Sequence, residues 1–413
     1  MAKKKSIAPY FCTHCKSYHK KGEIYDEHLL YNARSVIQNK IDQNCEFVSE
    51  EIIVPEEALE IKALESDKII NKIDLIYKDL VNQIADGKVP YLEVPLRRRE
   101  NIIYNAHNNY FLGKKTRKTM LGDKYNDFLR IIRISSLVKE LLENDLHATK
   151  REIFYSDVNL FEDQKYSDIS IEDFATLLGT YRDDLHIVAN AKGTCIGSVK
   201  LRDRNDIIDL EALGSGGWTI TSMLDNIEII ESDAEFILVV EKDAAMIRLA
   251  EDRFWNKVPC ILITAKGSPD YATRVFLKKL VSELKIPAFG LADSDPYGLG
   301  ILMTYAYGSV QSAHETSKFA LNNFYWLGVM PKDLEEYKLE ETCTLPTKNE
   351  DIRRVEYMLK EPPILNQKYL KEQLELILKL KRKAEIQALA SHGFDFLIEY
   401  IINKIVTGDY IKF

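Results

Sequence analysis

The sequence predicts a mixed α/β protein built from an N-terminal extension and two domains. Three observations lead to this prediction. A chain of 413 residues is longer than one ordinary hydrophobic core accommodates. Successive helical patterns, followed by two alternating stretches, occupy the middle of the chain, and apolar runs that alternate with helical patterns follow Gly214-Ser-Gly-Gly217. We expect an extension over residues 1–75, a first domain over 76–228 and a second domain over 229–413.

The extension is polar and charged, with a helical pattern from Glu56 to about Gln83. Near its start, Cys12 and Cys15 are followed by His19, and paired thiolates across a tight turn suit tetrahedral zinc. No second cysteine pair stands at a diagnostic spacing, so two interpretations stay open: a zinc knuckle, or incidental cysteines in an arm. With six cysteines spread thinly over the chain, we do not expect a disulfide framework.

The first domain begins with a helical pattern of apolar residues from Leu129 to Leu142. Thr149-Lys-Arg-Glu152 then fits a capping box, in which the threonine and glutamate side chains satisfy free backbone donors, so a new helix should start there. A third helix opens at Ser170. Alternating stretches over 185–190 and 195–201 predict a hairpin. Three helices followed by a hairpin is the order of a winged-helix domain, a DNA-binding fold.

The second domain contains three apolar, strand-like runs, Phe236–Val240, Cys260–Thr264 and Ala288–Leu291, with an amphipathic stretch over Tyr271–Lys285 between the last two. Such alternation is typical of a parallel sheet with crossover helices. Ligands of these sheets lie beyond the carboxyl ends of the strands. The chain after Asn366 has the pattern of two further helices.

Carboxylates stand at those strand ends. Glu241-Lys-Asp243 follows one buried run and Asp293-Ser-Asp295 follows another. Oxygen ligands at such an edge suit a hard cation that keeps several waters, and Mg²⁺ is the expected ion. The alternative is that these acids only cap the helices that follow. Because both motifs occur together, we predict Glu241, Asp293 and Asp295 as metal ligands, with Asp243 outside the direct ligand set; the pair resembles the Toprim domain.

A tyrosine on the capped helix is a candidate nucleophile. A tyrosine hydroxyl can attack a phosphodiester when a neighbouring cation stabilises the transition state, and Arg151 lies one helical turn before Tyr155. In a chain with 22 tyrosines, however, a single tyrosine is nearly always structural. Spacing alone therefore does not separate the two interpretations.

The formal net charge of −8 argues mildly against a nucleic-acid partner, but clustered basic residues matter more than the total. Clusters occur at Arg97–Arg99, at Lys114–Lys118 and at Lys150 with Arg151. Each cluster taken alone is more often a solvated face than a DNA contact. No apolar run approaches the length of a membrane span, and Met1–Ser6 lacks the apolar stretch of a secretory signal, so we expect an intracellular protein with no membrane partner.

Residues 148–161 resemble the active-site segment of the type IIB DNA topoisomerase VI A subunits and the related meiotic double-strand-break proteins. In that segment the second of two adjacent aromatics is the nucleophile, which corresponds to Tyr155. Further matches follow in the family's order, among them Val239-Val-Glu-Lys-Asp-Ala244 and Trp326-Leu-Gly328. Two departures are visible: Ala265 stands where a glycine is expected, and the loop Ala292-Asp-Ser-Asp295 differs slightly while keeping its carboxylates.

The resemblance implies a homodimer of A subunits that cleaves double-stranded DNA, with Tyr155 forming a 5′-phosphotyrosyl link in each strand. It implies an A2B2 heterotetramer with ATPase B subunits of the GHKL type, located in the cytoplasm and nucleoid, or in a eukaryotic nucleus. ATP should bind the partner, because the chain has no Gly-x-x-x-x-Gly-Lys-Ser/Thr phosphate loop. Candidate DNA contacts are Lys150, Lys192, Lys266 and Arg274.

Two other functions stay open. A dedicated break-forming protein of the meiotic class would cleave without resealing and would need other partners. A DNA-binding scaffold that keeps the fold without the chemistry is the second, and the intact Tyr155, Glu241, Asp293 and Asp295 argue against it.

Overall fold

A computed structural model describes residues 49–122, 125–188 and 191–413, and the backbone of two short strands near the N-terminus, β1 (Tyr10–Phe11) and β2 (Tyr18–His19). These two strands pair antiparallel. Cys12, Cys15 and the side chain of His19 lie outside the described residues. The zinc site therefore stays a prediction.

The chain forms two compact units. Among the residues that the structure describes, the helical unit comprises 52–122, 125–188 and 308–318, and the sheet unit comprises 49–51, 191–307 and 319–413. The predicted domain boundaries, 76–228 and 229–413, stay predictions. The compact units are defined by contacts between residues, and such units need not coincide with the domains of a family.

The described part of the helical unit contains α-helices and pairs of short strands. The helices are α1 (Ser66–Ala85), α2 (Tyr125–Glu143), α3 (Lys150–Tyr155), α4 (Val158–Phe161) and α5 (Gln164–Leu178). The strands are β3 (Tyr91–Pro95), β4 (Ile102–Tyr104), β5 (Tyr110–Leu112), β6 (Thr116–Met120), β7 (Ala148–Thr149) and β8 (Ile187–Val188). β3 pairs with β6 and β4 with β5, both antiparallel, whereas β7 and β8 are parallel.

The core of this unit lies between α1, α2 and α5. Apolar residues at helical spacing, such as Ile69 and Ile73 on α1 and Ile131 and Ile134 on α2, are almost fully buried against Phe174 on α5. Removing such side chains from water is the main stabilising contribution of an amphipathic helix. The predicted helix over 129–142 is confirmed, and it begins four residues earlier, at Tyr125.

The predicted capping box is confirmed. The Thr149 hydroxyl accepts a hydrogen bond from the Glu152 backbone N at 3.1 Å, and the Glu152 carboxylate accepts one from the Thr149 backbone N at 2.6 Å. These bonds fix the start of α3. Ile153 is the buried side chain of this helix, so its other faces carry Arg151 and Tyr155 outward.

The predicted hairpin is wrong. Its first stretch contributes β8, which pairs in parallel with β7, and its second contributes β9 (Thr194–Gly197), which pairs antiparallel with residues 261–264. Alternation along a strand shows that one of its faces is buried but does not identify its neighbour. The winged-helix interpretation is not confirmed.

The sheet unit continues with β10 (Val199–Asp203), β11 (Asp206–Asp209), β12 (Trp218–Thr219), β13 (Ile227–Ser232), β14 (Phe236–Val240), β15 (Cys260–Thr264), β16 (Ala288–Leu291), β17 (Phe324–Gly328), β18 (Leu345–Pro346), β19 (Arg382–Lys383) and β20 (Ile411–Lys412). Its helices are α6 (Asp243–Glu251), α7 (Phe254–Lys257), α8 (Tyr271–Leu284), α9 (Pro296–Tyr307), α10 (Thr316–Phe319), α11 (Asp333–Glu336), α12 (Asn349–Met358), α13 (Pro362–Leu365), α14 (Lys368–Leu380) and α15 (Phe396–Thr407). Residues 316–318 of α10 group with the helical unit.

A seven-stranded sheet organises this unit, in the order β12-β9-β15-β14-β16-β17-β20. The four central strands are parallel to one another, and the flanking strands are antiparallel to their neighbours. Every residue of β14 and β15 is buried, as expected for parallel strands that are covered on both faces. The predicted mixed α/β class with a parallel-type sheet is therefore confirmed.

The two C-terminal helices predicted from the sequence are confirmed as α14 and α15. α15 packs its apolar face against the sheet unit's core and carries the fully buried Lys404, which forms an ion pair with Asp333 at 2.8 Å. Among the residues that the structure describes, no helix is long and apolar enough to cross a membrane.

Candidate active site

Three carboxylates lie at the edge of the sheet where β14 and β16 end. Glu241 directly follows β14, and Asp293 and Asp295 follow β16. Because β14 and β16 are adjacent parallel strands, their carboxyl ends meet at one edge. The backbone N of Asp293 donates to the Glu241 carboxylate at 2.9 Å, and the backbone N of Glu241 donates to the Leu291 carbonyl, also at 2.9 Å. The two predicted motifs therefore form one cluster.

A lysine lies beside Asp293. Lys242 Nζ is 2.8 Å from Asp293 Oδ2 and 2.8 Å from Glu385 Oε2. The other oxygen of Asp293 accepts a hydrogen bond from the backbone N of Ile386 at 2.8 Å. The segment around Ile386 therefore borders the site. The sequence does not predict this contact, because Ile386 lies 93 residues from Asp293 and belongs to no recognisable motif.

Asp295 has a second role. Its Oδ1 accepts hydrogen bonds from the backbone N of Tyr297 and Gly298, at 2.9 and 2.8 Å, and so caps the N-terminus of α9. Its Oδ2 lies 3.8 Å from Lys383, which also pairs with Asp351 at 3.0 Å. The capping interpretation therefore holds for Asp295, whereas Glu241 and Asp293 cap no helix through these contacts.

The electrostatics of the cluster favour a cation. Burial raises the pKa of Glu241 to about 7, and the negative charges of Asp293 and Asp295 add to this rise against the hydrogen bond from the Asp293 backbone. Burial also raises the pKa of Asp293, although Lys242 opposes it. A half-buried group of carboxylates that repel one another is stabilised when a positive ion joins it.

Carboxylate oxygen is the donor type that Mg²⁺ prefers, so the residues present fit this ion. Within the described ranges, the groups of three His, Cys, Asp or Glu ligand atoms that converge within 4.8 Å are Glu172 with His314 and Glu315, and Asp333 with Glu336 and Asp409. The predicted trio is spread more widely than these. An open arrangement suits Mg²⁺, which keeps several waters and rarely sits in an all-protein cage. Asp243 begins α6, and its carboxylate lies 3.7 Å from Lys266 Nζ.

Tyr155 is the last residue of α3, and 60% of its surface is exposed. The Arg151 guanidinium carbon lies 5.7 Å from the centre of the Tyr155 ring, and the Phe154 ring centre lies 5.1 Å from it. The predicted pairing of Arg151 with Tyr155 on one face is therefore present. This arrangement leaves the tyrosine accessible to a large substrate and places a permanent positive charge beside it.

The candidate DNA contacts divide into two kinds. Lys192 and Lys266 are exposed. Lys150 forms an ion pair with Glu172 at 2.7 Å, and Arg274 is 7% exposed, with its guanidinium 3.7 Å from the Phe319 ring centre. Burial and pairing of Lys150 and Arg274 do not favour direct contact with a phosphate backbone.

Part of the basic clustering is also internal. Arg97 pairs with Asp173 at 2.8 Å, and Arg117 pairs with the other oxygen of the same carboxylate at 2.5 Å. Asp173 is almost fully buried on α5. These arginines stabilise the helical unit, so charge runs in the sequence overstate the basic surface available to DNA.

Two protein families match the chain. The family described as the Toprim domain of Spo11 and of the topoisomerase 6 A subunit matches residues 236–405, which contain all three carboxylates. The family described as type IIB DNA topoisomerase matches residues 126–187, which contain α3 and Tyr155.

Named relatives come from plants, archaea and mammals. The A subunit of DNA topoisomerase 6 from Arabidopsis thaliana is 45% identical over 280 residues, which is 68% of this chain and 66% of the plant protein. The A subunit of type 2 DNA topoisomerase 6 from Sulfurisphaera tokodaii is 32% identical over 84% of this chain and 96% of its own length. Meiotic recombination protein SPO11 of Mus musculus is 31% identical over 84% of this chain and 89% of its own length. The match thus spans just under two thirds of the plant protein and most of the archaeal and mammalian ones.

Proposed function

The chain belongs to the family of topoisomerase 6 A subunits and Spo11 proteins, and from that premise we propose that it is the DNA-cleaving subunit of an ATP-dependent type IIB topoisomerase. The observation that carries the proposal is the exposed Tyr155 beside Arg151, at the end of a capped helix within the matched segment. The carboxylate cluster at the sheet edge supports it independently.

In the proposed reaction, the Tyr155 oxygen attacks a DNA phosphorus and a tyrosine–phosphate bond forms. The bond from phosphorus to the 3′ oxygen breaks, the tyrosine proton passes to solvent, and the leaving 3′ oxygen takes up a proton. Arg151 stabilises the negative charge that develops on the phosphate oxygens. Resealing is the same exchange in reverse, so the energy of the broken bond is kept in the phosphotyrosine link. Cutting both strands requires two such tyrosines, hence a homodimer.

Glu241, Asp293 and Asp295 would hold Mg²⁺, which when bound supplies positive charge next to the phosphate. The residues themselves contribute the negative edge that attracts the ion. Lys242 pairs with Asp293 and Glu385, so its positive charge offsets part of the negative charge at this edge.

Identity to two plant topoisomerase 6 A subunits is 45% and 46% over 280 residues, and this supports strand passage. Identity to the archaeal topoisomerase 6 A subunits, 32% to 33%, is close to the 31% found for the mouse and human SPO11 proteins. Because the chain carries no phosphate loop, we assign ATP binding to a GHKL-type B subunit in an A2B2 assembly.

The experiment that tests this function is Tyr155→Phe. The substitution removes the nucleophilic oxygen and keeps the ring, so covalent protein–DNA adducts should fall to background. DNA affinity should stay nearly unchanged, because duplex affinity comes mainly from basic residues that contact phosphates, and these remain. We would measure adducts by denaturing gel and affinity by fluorescence anisotropy, with the B subunit, ATP and Mg²⁺ present for cleavage.

Adding Phe154→Tyr to the Tyr155→Phe protein should not rescue cleavage, because the Phe154 ring packs against the core of the helical unit. Adducts that persist in Tyr155→Phe would show that another residue is the nucleophile.

A further inference from the structure

A mostly buried charge network joins α5 to the helix that carries Tyr155. Its centre is Glu172 on α5, whose Oε1 is 2.7 Å from Lys150 Nζ and 3.5 Å from an Arg182 guanidinium nitrogen. Its Oε2 is 3.0 Å from His314 Nε2. All four residues belong to the helical unit, although His314 comes from a segment far along the chain. We call these four residues the Glu172 network.

Lys150 connects the network to α3. It is the first residue of that helix, where the unpaired backbone N–H groups make a positive side chain unfavourable. Pairing with Glu172 compensates this charge. The helix has six residues, too few to be stable alone, and Ile153 is its one fully buried side chain. Besides Ile153 and Phe154, which pack against the core, this ion pair links α3 directly to α5.

His314 completes the network from the other side. Its side chain is 1% exposed. Burial alone would raise the pKa of Glu172, but the charge of Lys150, the hydrogen bond from His314 and the charge of Arg182 hold it well below its ordinary value. An ionised carboxylate only accepts hydrogen bonds, so His314 Nε2 must be the donor.

A metal ion is the other occupant that this cluster of Glu172, His314 and Glu315 suggests, since their ligand atoms converge within 4.8 Å. Both Glu172 oxygens, however, already contact positive or donating groups. Glu315 accepts a hydrogen bond from the Arg182 backbone at 3.4 Å. With these charges already compensated, the network needs no metal.

We propose that Glu172 and His314 are positioning residues for DNA cleavage, which fix Lys150 and thereby the orientation of Arg151 and Tyr155 on α3. This inference rests on the proposed function. Its physical basis is that a nucleophile must approach phosphorus in line, and an error of about 1 Å in its placement costs on the order of 100-fold in rate.

The test uses the full chain with its B subunit, in single-turnover cleavage of duplex DNA. Glu172→Gln and Lys150→Met should each slow adduct formation roughly 10- to 100-fold. DNA affinity should stay nearly unchanged, because the two side chains pair with each other within the helical unit. The double variant should be no slower than the slower single variant, because both remove one interaction. His314→Leu should slow cleavage, and His314→Gln, which keeps a donor near the Nε2 position, should restore much of the rate.

A matched control is Lys139→Met, which removes another lysine ion pair of the same unit, between Lys139 on α2 and Asp74 on α1 at 2.5 Å. It should cleave at the parent rate. Thermal midpoints of all variants set an assay temperature at which each is folded, so a loss of rate there is not a loss of folded protein. If Glu172→Gln does not fold, the comparison of His314→Leu with His314→Gln carries the test.

Parental cleavage by Glu172→Gln and His314→Leu would overturn the inference, and so would additive effects of Glu172→Gln and Lys150→Met. Tyr155→Phe, measured in parallel, separates this failure from that of the proposed function. If Tyr155→Phe loses its adducts while the network variants cleave normally, only the positioning role is wrong. Adducts that persist in Tyr155→Phe would remove the premise itself.

Discussion

Glu241 is a residue whose charge depends on pH near neutrality. Its pKa is raised to about 7 by burial and by two neighbouring carboxylates, from an ordinary value of 4.5. In the unfolded chain it ionises at the ordinary value. Its contribution to stability is therefore fully present below pH 4.5 and is lost as the pH rises through 7, in protein without metal.

Mg²⁺ should reverse this loss, because the ion and the proton compete for the same oxygens. One pH unit below the pKa, competition lowers metal affinity about tenfold, or about 1.4 kcal/mol. We predict that Mg²⁺ raises the thermal midpoint more at pH 8 than at pH 6. Calorimetry at both pH values checks this, with Glu241→Gln as the control in which the difference shrinks. Equal shifts at both pH values in the parent protein would contradict the predicted metal site.

The sequence predicts contacts between side chains that stand close together in the chain. Thr149 with Glu152, and Arg151 with Tyr155, are related by helical spacing, and both relations are present. Contacts across the chain could not be predicted this way. Lys150 resembles a DNA contact in the sequence because the carboxylate that pairs with it, on α5, is 22 residues away.

Helices and strands whose own apolar residues follow a regular pattern were predicted correctly. The apolar spacing in α2 and the uninterrupted apolar runs of β14, β15 and β16 are local signals, and they indicated the correct element types. The hairpin prediction was wrong because nothing in the sequence of β9 indicates which strand it pairs with. β9 joins the sheet beside β15, more than 60 residues later, and only the folded sheet decides that pairing.

A buried ion pair links α15 to Asp333 on α11. Lys404 is fully buried and lies 2.8 Å from Asp333 and 2.8 Å from Asp409, and the Tyr400 hydroxyl donates to Asp333. We predict that Lys404→Met destabilises the protein by about 3–5 kcal/mol, because it leaves a buried carboxylate without its positive partner. Urea denaturation measures this loss.

Lys371→Met on α14 is the matched control, since that lysine and Glu375 form an exposed pair at 3.8 Å. It should change stability by less than about 0.5 kcal/mol. A loss below about 1 kcal/mol for Lys404→Met would mean that α15 is held by its apolar face alone.

We predict that strand passage by this protein requires a partner subunit. The protein by itself should bind duplex DNA weakly and with strong salt dependence, because counterion release dominates such binding. It should not relax supercoiled plasmid, because the proposed function assigns the ATP-driven step of strand passage to the B subunit. Adding a GHKL-type partner with ATP and Mg²⁺ should start relaxation. Gel assays with each protein separately and with both would decide, and robust relaxation without the partner would contradict the two-subunit proposal.

The chain crosses between the two units several times, and this limits how the units could be exchanged during evolution. The chain passes from one unit to the other at residues 51–52, 190–191, 307–308 and 318–319. A fragment that stops at residue 190 would lack 308–318, and with it the segment that covers β5 and supplies His314 to Glu172. No single break in the gene separates the units into complete pieces. Recombination that exchanged one unit for a homologous one would have to replace several separate stretches of the gene together. We therefore expect the two units to be inherited together.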